Sequence, residues 1–125
     1  MTYELNITPN TKPRMTRRDK WLNPPRSCVK QYWEFKDKLK AECKRVGFVT
    51  FEAEIKRLEF HIPMPDSWSK KKKQLMDGKP HQQSPDLDNC TKAGFDSLLD
   101  QDNYIYKVEN LAKYWSYEGK IIIEQ

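Results

Sequence analysis

Hydrophobic and polar positions alternate with two different periods along this chain. Tyr3, Leu5 and Ile7 are spaced by two, which predicts a first strand, and Thr8-Pro9-Asn10-Thr11 ends it. From residue 27 the period lengthens. Val29, Tyr32, Trp33, Leu39, Cys43 and Val46 recur at three- and four-residue steps, with Lys36, Lys40 and Lys44 on another face, so a helix is predicted over 27–46. Ser27 suits its N-cap and Gly47 its C′ position. Alternation returns over 53–63, with Leu58, Phe60 and Ile62 on one face and Arg57, Glu59 and His61 on the other. The phase set by Phe51, Ala53 and Ile55 breaks at Lys56-Arg57, which predicts a bulge or a bend. A short helix within 66–78, capped by Ser67 or Ser69 and ended by Gly78, precedes a longer one over about 88–99. A loosely alternating strand over 104–115, a turn at 116–119 and a buried strand containing Ile121-Ile122-Ile123 complete the order βαβαββ. That order predicts an α+β fold, with two main helices packed on a small mixed sheet.

At 125 residues the chain is long enough for one core and too short for two, so a single domain over 1–125 is expected. The formal charge of +5 conceals an asymmetry. Residues 1–50 hold 12 Lys/Arg against 5 Asp/Glu, whereas residues 74–125 hold 5 against 9. A basic front and an acidic back suit a protein that meets polyanion with one surface and divalent cation with another. The basic excess is concentrated in two places. Residues 12–26 form a proline-broken loop carrying Lys12, Arg14, Arg17 and Arg18, with Trp21 inside it as either a base-stacking ring or a core residue. Residues 64–85 read as a basic linker containing Lys70, Lys71, Lys72 and Lys73, a phosphate grip or a solubility feature. Cys28, Cys43 and Cys90 make no CxxC pair and, with His61 and His81 far apart, spell no zinc site or disulfide framework. A cytoplasmic protein is expected, with no apolar signal region and no run of membrane-spanning length.

The densest chemistry lies in Ser84-Pro85-Asp86-Leu87-Asp88-Asn89-Cys90-Thr91-Lys92-Ala93-Gly94-Phe95-Asp96. Asp88, Lys92 and Asp96 share one helical face, and Asp100-Gln101-Asp102 follows at once. Gathered carboxylates repel unless a cation sits among them, and hard oxygen donors without His or Cys point to Mg²⁺ or Mn²⁺. The same residues also fit a capped, salt-bridged, solvated helix. A calcium loop is excluded: counted from Asp86, Thr91 and Ser97 stand where it needs Gly and an acid.

Pro85-Asp86-Leu87-Asp88-Asn89-Cys90-Thr91-Lys92 followed by Phe95-Asp96-Ser97-Leu98 resembles the PDxDN-x-x-K-x-x-x-D-x-L core of the RusA family of Holliday junction resolvases. Lys12-Pro13-Arg14 and the stretch from Met64 to His81 extend the resemblance to the phage-type branch. It implies a Mg²⁺-dependent (or Mn²⁺-dependent) endodeoxyribonuclease, with no small-molecule cofactor and no membrane partner. Such a protein acts as a homodimer that nicks four-way DNA junctions symmetrically. It further implies that Asp86, Asp88 and Asp102 bind metal and that Lys92 serves the scissile phosphate, with Asp100 a rival to Asp102. The basic residues of the loop and linker would grip DNA. Gln101 and Ser84 depart from the pattern, standing where relatives carry an acid and a lysine. Those departures keep open a junction-binding protein without nuclease activity, and a general branched-DNA endonuclease using the same site is a third reading.

Overall fold

A computed structural model describes residues 1–11 and 27–125. The expected basic loop over 12–26, with Lys12, Arg14, Arg17, Arg18 and Trp21, lies outside the described residues. The elements run β1 (Thr2–Leu5), α1 (Ser27–Val46), β2 (Glu54–Pro63), α2 (Lys70–Met76), α3 (Leu87–Leu98), β3 (Lys107–Ser116) and β4 (Lys120–Glu124). The strands form one mixed sheet in the order β1-β4-β2-β3, with β2 and β3 parallel and the other pairs antiparallel. This is the expected α+β architecture.

Pairing identifies the face of the sheet that carries the core. Leu58 and Phe60 of β2 lie beside Ile123 and Ile121 of β4, and Leu5 of β1 lies beside Ile121 from the far side. All five are buried, against Tyr32, Phe35 and Leu39 of α1 and Cys90 and Ala93 of α3. Trp33, expected on the apolar stripe of α1, is instead 46% exposed, and Phe35 takes the buried place at 5%. The reason is angular: Trp33 stands about 100° round the helix from Tyr32, off the line that Val29, Tyr32, Phe35 and Leu39 follow. Gly47 ends α1 as expected, with φ of 77°, and the Phe48 amide reaches back to the Cys43 carbonyl at 2.9 Å.

The phase break in β2 is not a bulge. Ile55 and Leu58 are both buried, yet Ile55↔Val108 and Arg57↔Asn110 keep the same offset, so no residue is inserted. Residues 64–85, read as a linker, contribute two ordered pieces. Ser69 caps α2 by accepting from the Lys72 amide at 3.2 Å, and Gly78 (φ 77°) follows its end. The next residues run antiparallel along the free edge of β3. The Gly78 amide donates to the Trp115 carbonyl, the Trp115 amide to Lys79, and the His81 amide to Lys113, at 2.9–3.1 Å. Covering that edge leaves fewer open backbone groups on the outermost strand.

Candidate nuclease site

The site is built from the two ends of α3 and the loop that follows it. α3 begins one residue before the predicted start, with Asp86 in the N-cap position. A capping aspartate would accept from a first-turn amide, but the Asp86 carboxylate makes no such bond. The helix-cap explanation for this acid therefore fails. Thr91 donates to the Leu87 carbonyl at 2.8 Å, folding its hydroxyl back on the helix.

Phe95 fixes α3 from behind. Its ring meets Phe51 edge to face at 4.9 Å, Phe51 meets Phe48 at 5.1 Å, and Phe48 meets Tyr3 at 5.2 Å. Such contacts add roughly 0.5–1.5 kcal/mol each beyond simple burial. The same loop holds the second acidic segment. The Tyr104 hydroxyl donates to the Phe51 carbonyl at 2.7 Å, the Tyr106 amide to Ala53 at 3.0 Å, and the Ile105 amide to Asp102 at 3.1 Å. These three bonds occupy residues expected in the strand, which explains why β3 starts only at Lys107.

As a result Asp88, Lys92, Asp96 and Asp102 line one open groove of about 480 Å³, floored by Thr91, Phe95 and Leu111. Asp88, Lys92 and Asp102 are exposed to solvent there. Asp100 is not among the lining residues, so of the two rivals Asp102 is the one that faces Asp88 and Lys92. Asp86 lies outside the groove, and among the described residues no three acids, histidines or cysteines stand close enough to share one ion. The structure thus brings together two of the expected acids and the lysine, and leaves Asp86 two residues back at the helix start. All three acids offer hard oxygen donors, and no histidine or cysteine lines the groove, which fits Mg²⁺ or Mn²⁺ in kind. A larger groove of about 680 Å³ between residues 6–10 and α1 offers less, because Glu42 there is already held by Arg45 at 2.9 Å and by the Asn6 amide at 2.7 Å.

The electrostatic surroundings tie Asp86 to the same end of the molecule. Burial pushes the Cys90 thiol up to about 11; a nearby Lys113 pulls it down, and Asp86 and Asp88 push it further up. Two residues near this end escaped sequence reasoning. Lys113 donates through Nζ to the carbonyls of Gln83 and Pro85 at 2.6 and 2.7 Å. His81 is buried with its ring 4.2 Å from Trp115, and its Nδ1 has no hydrogen-bond partner among the described residues. Strand alternation hinted at Lys113 alone, which occupies a slot that the pattern of β3 reserves for an inward side chain.

Of the expected DNA-contacting residues, Lys70, Lys71 and Lys72 are exposed on α2 and Lys73 is half-buried. Lys72 lies over the Trp68 ring at 4.1 Å, and Trp68 packs on Trp115 at 4.7 Å.

A small α+β protein whose carboxylates and lysine share a solvent-open groove, and which also carries an exposed lysine-rich helix, has the make-up of a phosphodiester-cleaving enzyme. The family model described as endodeoxyribonuclease RusA matches residues 4–124, and the chain belongs to that family. No curated protein and no solved structure shows significant similarity to it. Among the described residues no helix is long and apolar enough to cross a membrane.

Proposed function

We propose that residues 1–125 act as one nuclease domain, a homodimeric, divalent-metal-dependent endodeoxyribonuclease that resolves four-way DNA junctions by paired symmetrical nicks. The observation that carries this reading is the groove in which Asp88 and Asp102 face Lys92, in a chain of the RusA family. The family resemblance assigns Asp86, Asp88 and Asp102 to hold Mg²⁺ or Mn²⁺; Asp88 and Asp102 line the groove, and Asp86 would have to approach it from the start of α3. A bound ion supplies Lewis acidity, lowering the pKa of water and offsetting charge on phosphate oxygens. Lys92 contributes an ammonium on the next turn of α3 from Asp88, suited to stabilise charge gathering on a non-bridging or leaving oxygen. The exposed acids alone repel a DNA backbone, so approach depends on cations, some fixed on α2 and some bound. The cytoplasm suits three free cysteines, Cys28, Cys43 and Cys90.

Asp88→Asn and Asp102→Asn are each expected to lower Mg²⁺-dependent nicking of a labelled four-way junction by at least about 100-fold, the loss typical of removing one transition-state stabiliser. Metal-free junction binding should be kept, and Asp100→Asn should cleave like wild type. Wild-type cleavage by Asp88→Asn would end the nuclease reading. Equal cutting of three-way and linear duplexes would replace junction specificity with general branch cleavage.

A further inference from the structure

A lysine occupies a place in β3 where an apolar side chain is expected. Lys113 lies between Leu111 and Trp115 on the row that faces the helices, and its strand partner is Phe60, one of the most buried residues in the chain. Among the described residues its ammonium reaches no carboxylate. It spans instead to the segment before α3, donating to the Gln83 carbonyl at 2.6 Å and the Pro85 carbonyl at 2.7 Å. The backbone of the same residue holds the other end of that segment, its carbonyl accepting from the His81 amide at 3.1 Å. Three bonds from one residue thus grip residues 81–85, a stretch outside both helix and strand. Charge-assisted bonds of this length are about twice as strong as neutral ones. The gripped segment ends at Asp86, whose own carbonyl accepts the first α3 bond, from the Cys90 amide at 3.0 Å.

We propose that Lys113 is a positioning residue for the metal-binding end of α3: by clamping the Gln83 and Pro85 carbonyls it fixes where Asp86 and Asp88 stand. The inference rests on the nuclease reading above and adds to it a residue that touches neither DNA nor metal. Residues that orient metal ligands without touching the ion typically change its affinity by about 10–100-fold when removed.

The test is Mn²⁺ binding to the full chain by calorimetry without DNA, together with the Mg²⁺ half-point of junction cleavage, in wild type and Lys113→Met. The methionine keeps the stem of the side chain and removes both donors and charge. Expected are a loss of Mn²⁺ affinity of about 10–100-fold and a matching rise in the Mg²⁺ half-point. Metal-free junction binding should stay within twofold. In an Asp86→Asn background the same substitution should add much less, because the ligand it positions is already gone. A lysine that merely stabilises the fold would lower the melting temperature and leave Mn²⁺ affinity unchanged, and that result overturns the proposal. Should Lys113→Met fail to fold, Lys113→Gln, with a shorter side chain and no charge, is read in the same titration with the same two outcomes. Equal Mn²⁺ affinity in a cleaving wild type and its Lys113 variant overturns the positioning role alone. A wild type that binds no Mn²⁺ and cuts no junction overturns the nuclease reading as well.

Discussion

Removing two charges from α2 should change how junction binding responds to salt by an amount that the structure lets one work out. α2 has no buried residue, yet it is seated. Ser69 caps it, Lys72 lies over Trp68, and Trp68 packs on Trp115 of β3. Lys72 is therefore partly committed to a ring, and Lys73 is half-buried. Lys70 and Lys71 are the exposed pair with no partner recorded among the described residues. Each lysine that neutralises a phosphate of B-form DNA contributes about 0.9 to the slope of log K against log salt. Losing two contacts in Lys70→Gln/Lys71→Gln should flatten that slope by about 1.8 if one protomer engages the junction, and by about 3.6 if both protomers of a dimer do. Over a rise from about 50 to 200 mM salt, wild-type affinity should fall about 12-fold further than the variant's in the first case and about 150-fold further in the second. Fluorescence anisotropy of a labelled four-way junction in EDTA measures both slopes and separates monomer from dimer engagement. Lys72→Gln should flatten the slope less than either uncommitted lysine does. Identical slopes for wild type and the double variant would refute the reasoning and place the α2 ridge away from DNA.

Two further predictions concern groups buried around the site. His81 titrates below its ordinary value, chiefly because burial disfavours the imidazolium and next because Lys113 is positively charged. The folded state therefore binds fewer protons than the unfolded chain, and the stabilisation is full above the unfolded pKa of about 6.5 and lost as pH falls through it. His81→Phe keeps a ring against Trp115 and should lose less stability than wild type between pH 7.5 and 5, the difference not exceeding about 1.4 kcal/mol per pH unit. Parallel urea midpoints at the two pH values would contradict this. Burial raises the thiols of Cys43 and Cys90 to about 11, whereas Cys28 is exposed. A disulfide reagent at neutral pH should consume one thiol quickly and the other two only on unfolding; three fast equivalents would show that the core around α1 and α3 is open.

What the sequence made legible is what depends on near neighbours along the chain. α1 and its Gly47 terminus, the α2 cap, and the strands β2 and β4 were readable because their apolar residues recur at a local period. Trp33 was misplaced because periodicity names a face only to within about one residue step, and Phe35 competes for the same stripe. The sheet order β1-β4-β2-β3 was not readable, since the pairing of β1 with β4 joins opposite ends of the chain. The strip that covers the edge of β3 was hidden for the same reason. Its residues look like a polar linker until Trp115 and Lys113 pair with them.

The candidate site divides along the same line. The spacing of Asp88 and Lys92 on one helical face is local, and it places them in the groove as expected. That Asp102 rather than Asp100 lines the groove is not local. It follows from Tyr104 reaching 53 residues back to the Phe51 carbonyl, and from Phe51 packing on Phe95 of the acidic helix itself. One short loop, 48–51, thus seats α3 and the segment carrying Asp102 together, while Lys113 bonds the chain just before the helix start. Asp88 and Lys92 ride on a helix, whereas Asp86 and Asp102 ride on loops, each tied down by a few long-range hydrogen bonds. If the site binds metal as proposed, the helix-borne pair should tolerate distant substitutions that the loop-borne acids do not, and Tyr104→Phe, like Lys113→Met, should lower Mn²⁺ affinity in calorimetry. Unchanged Mn²⁺ affinity in both variants would refute the coupling.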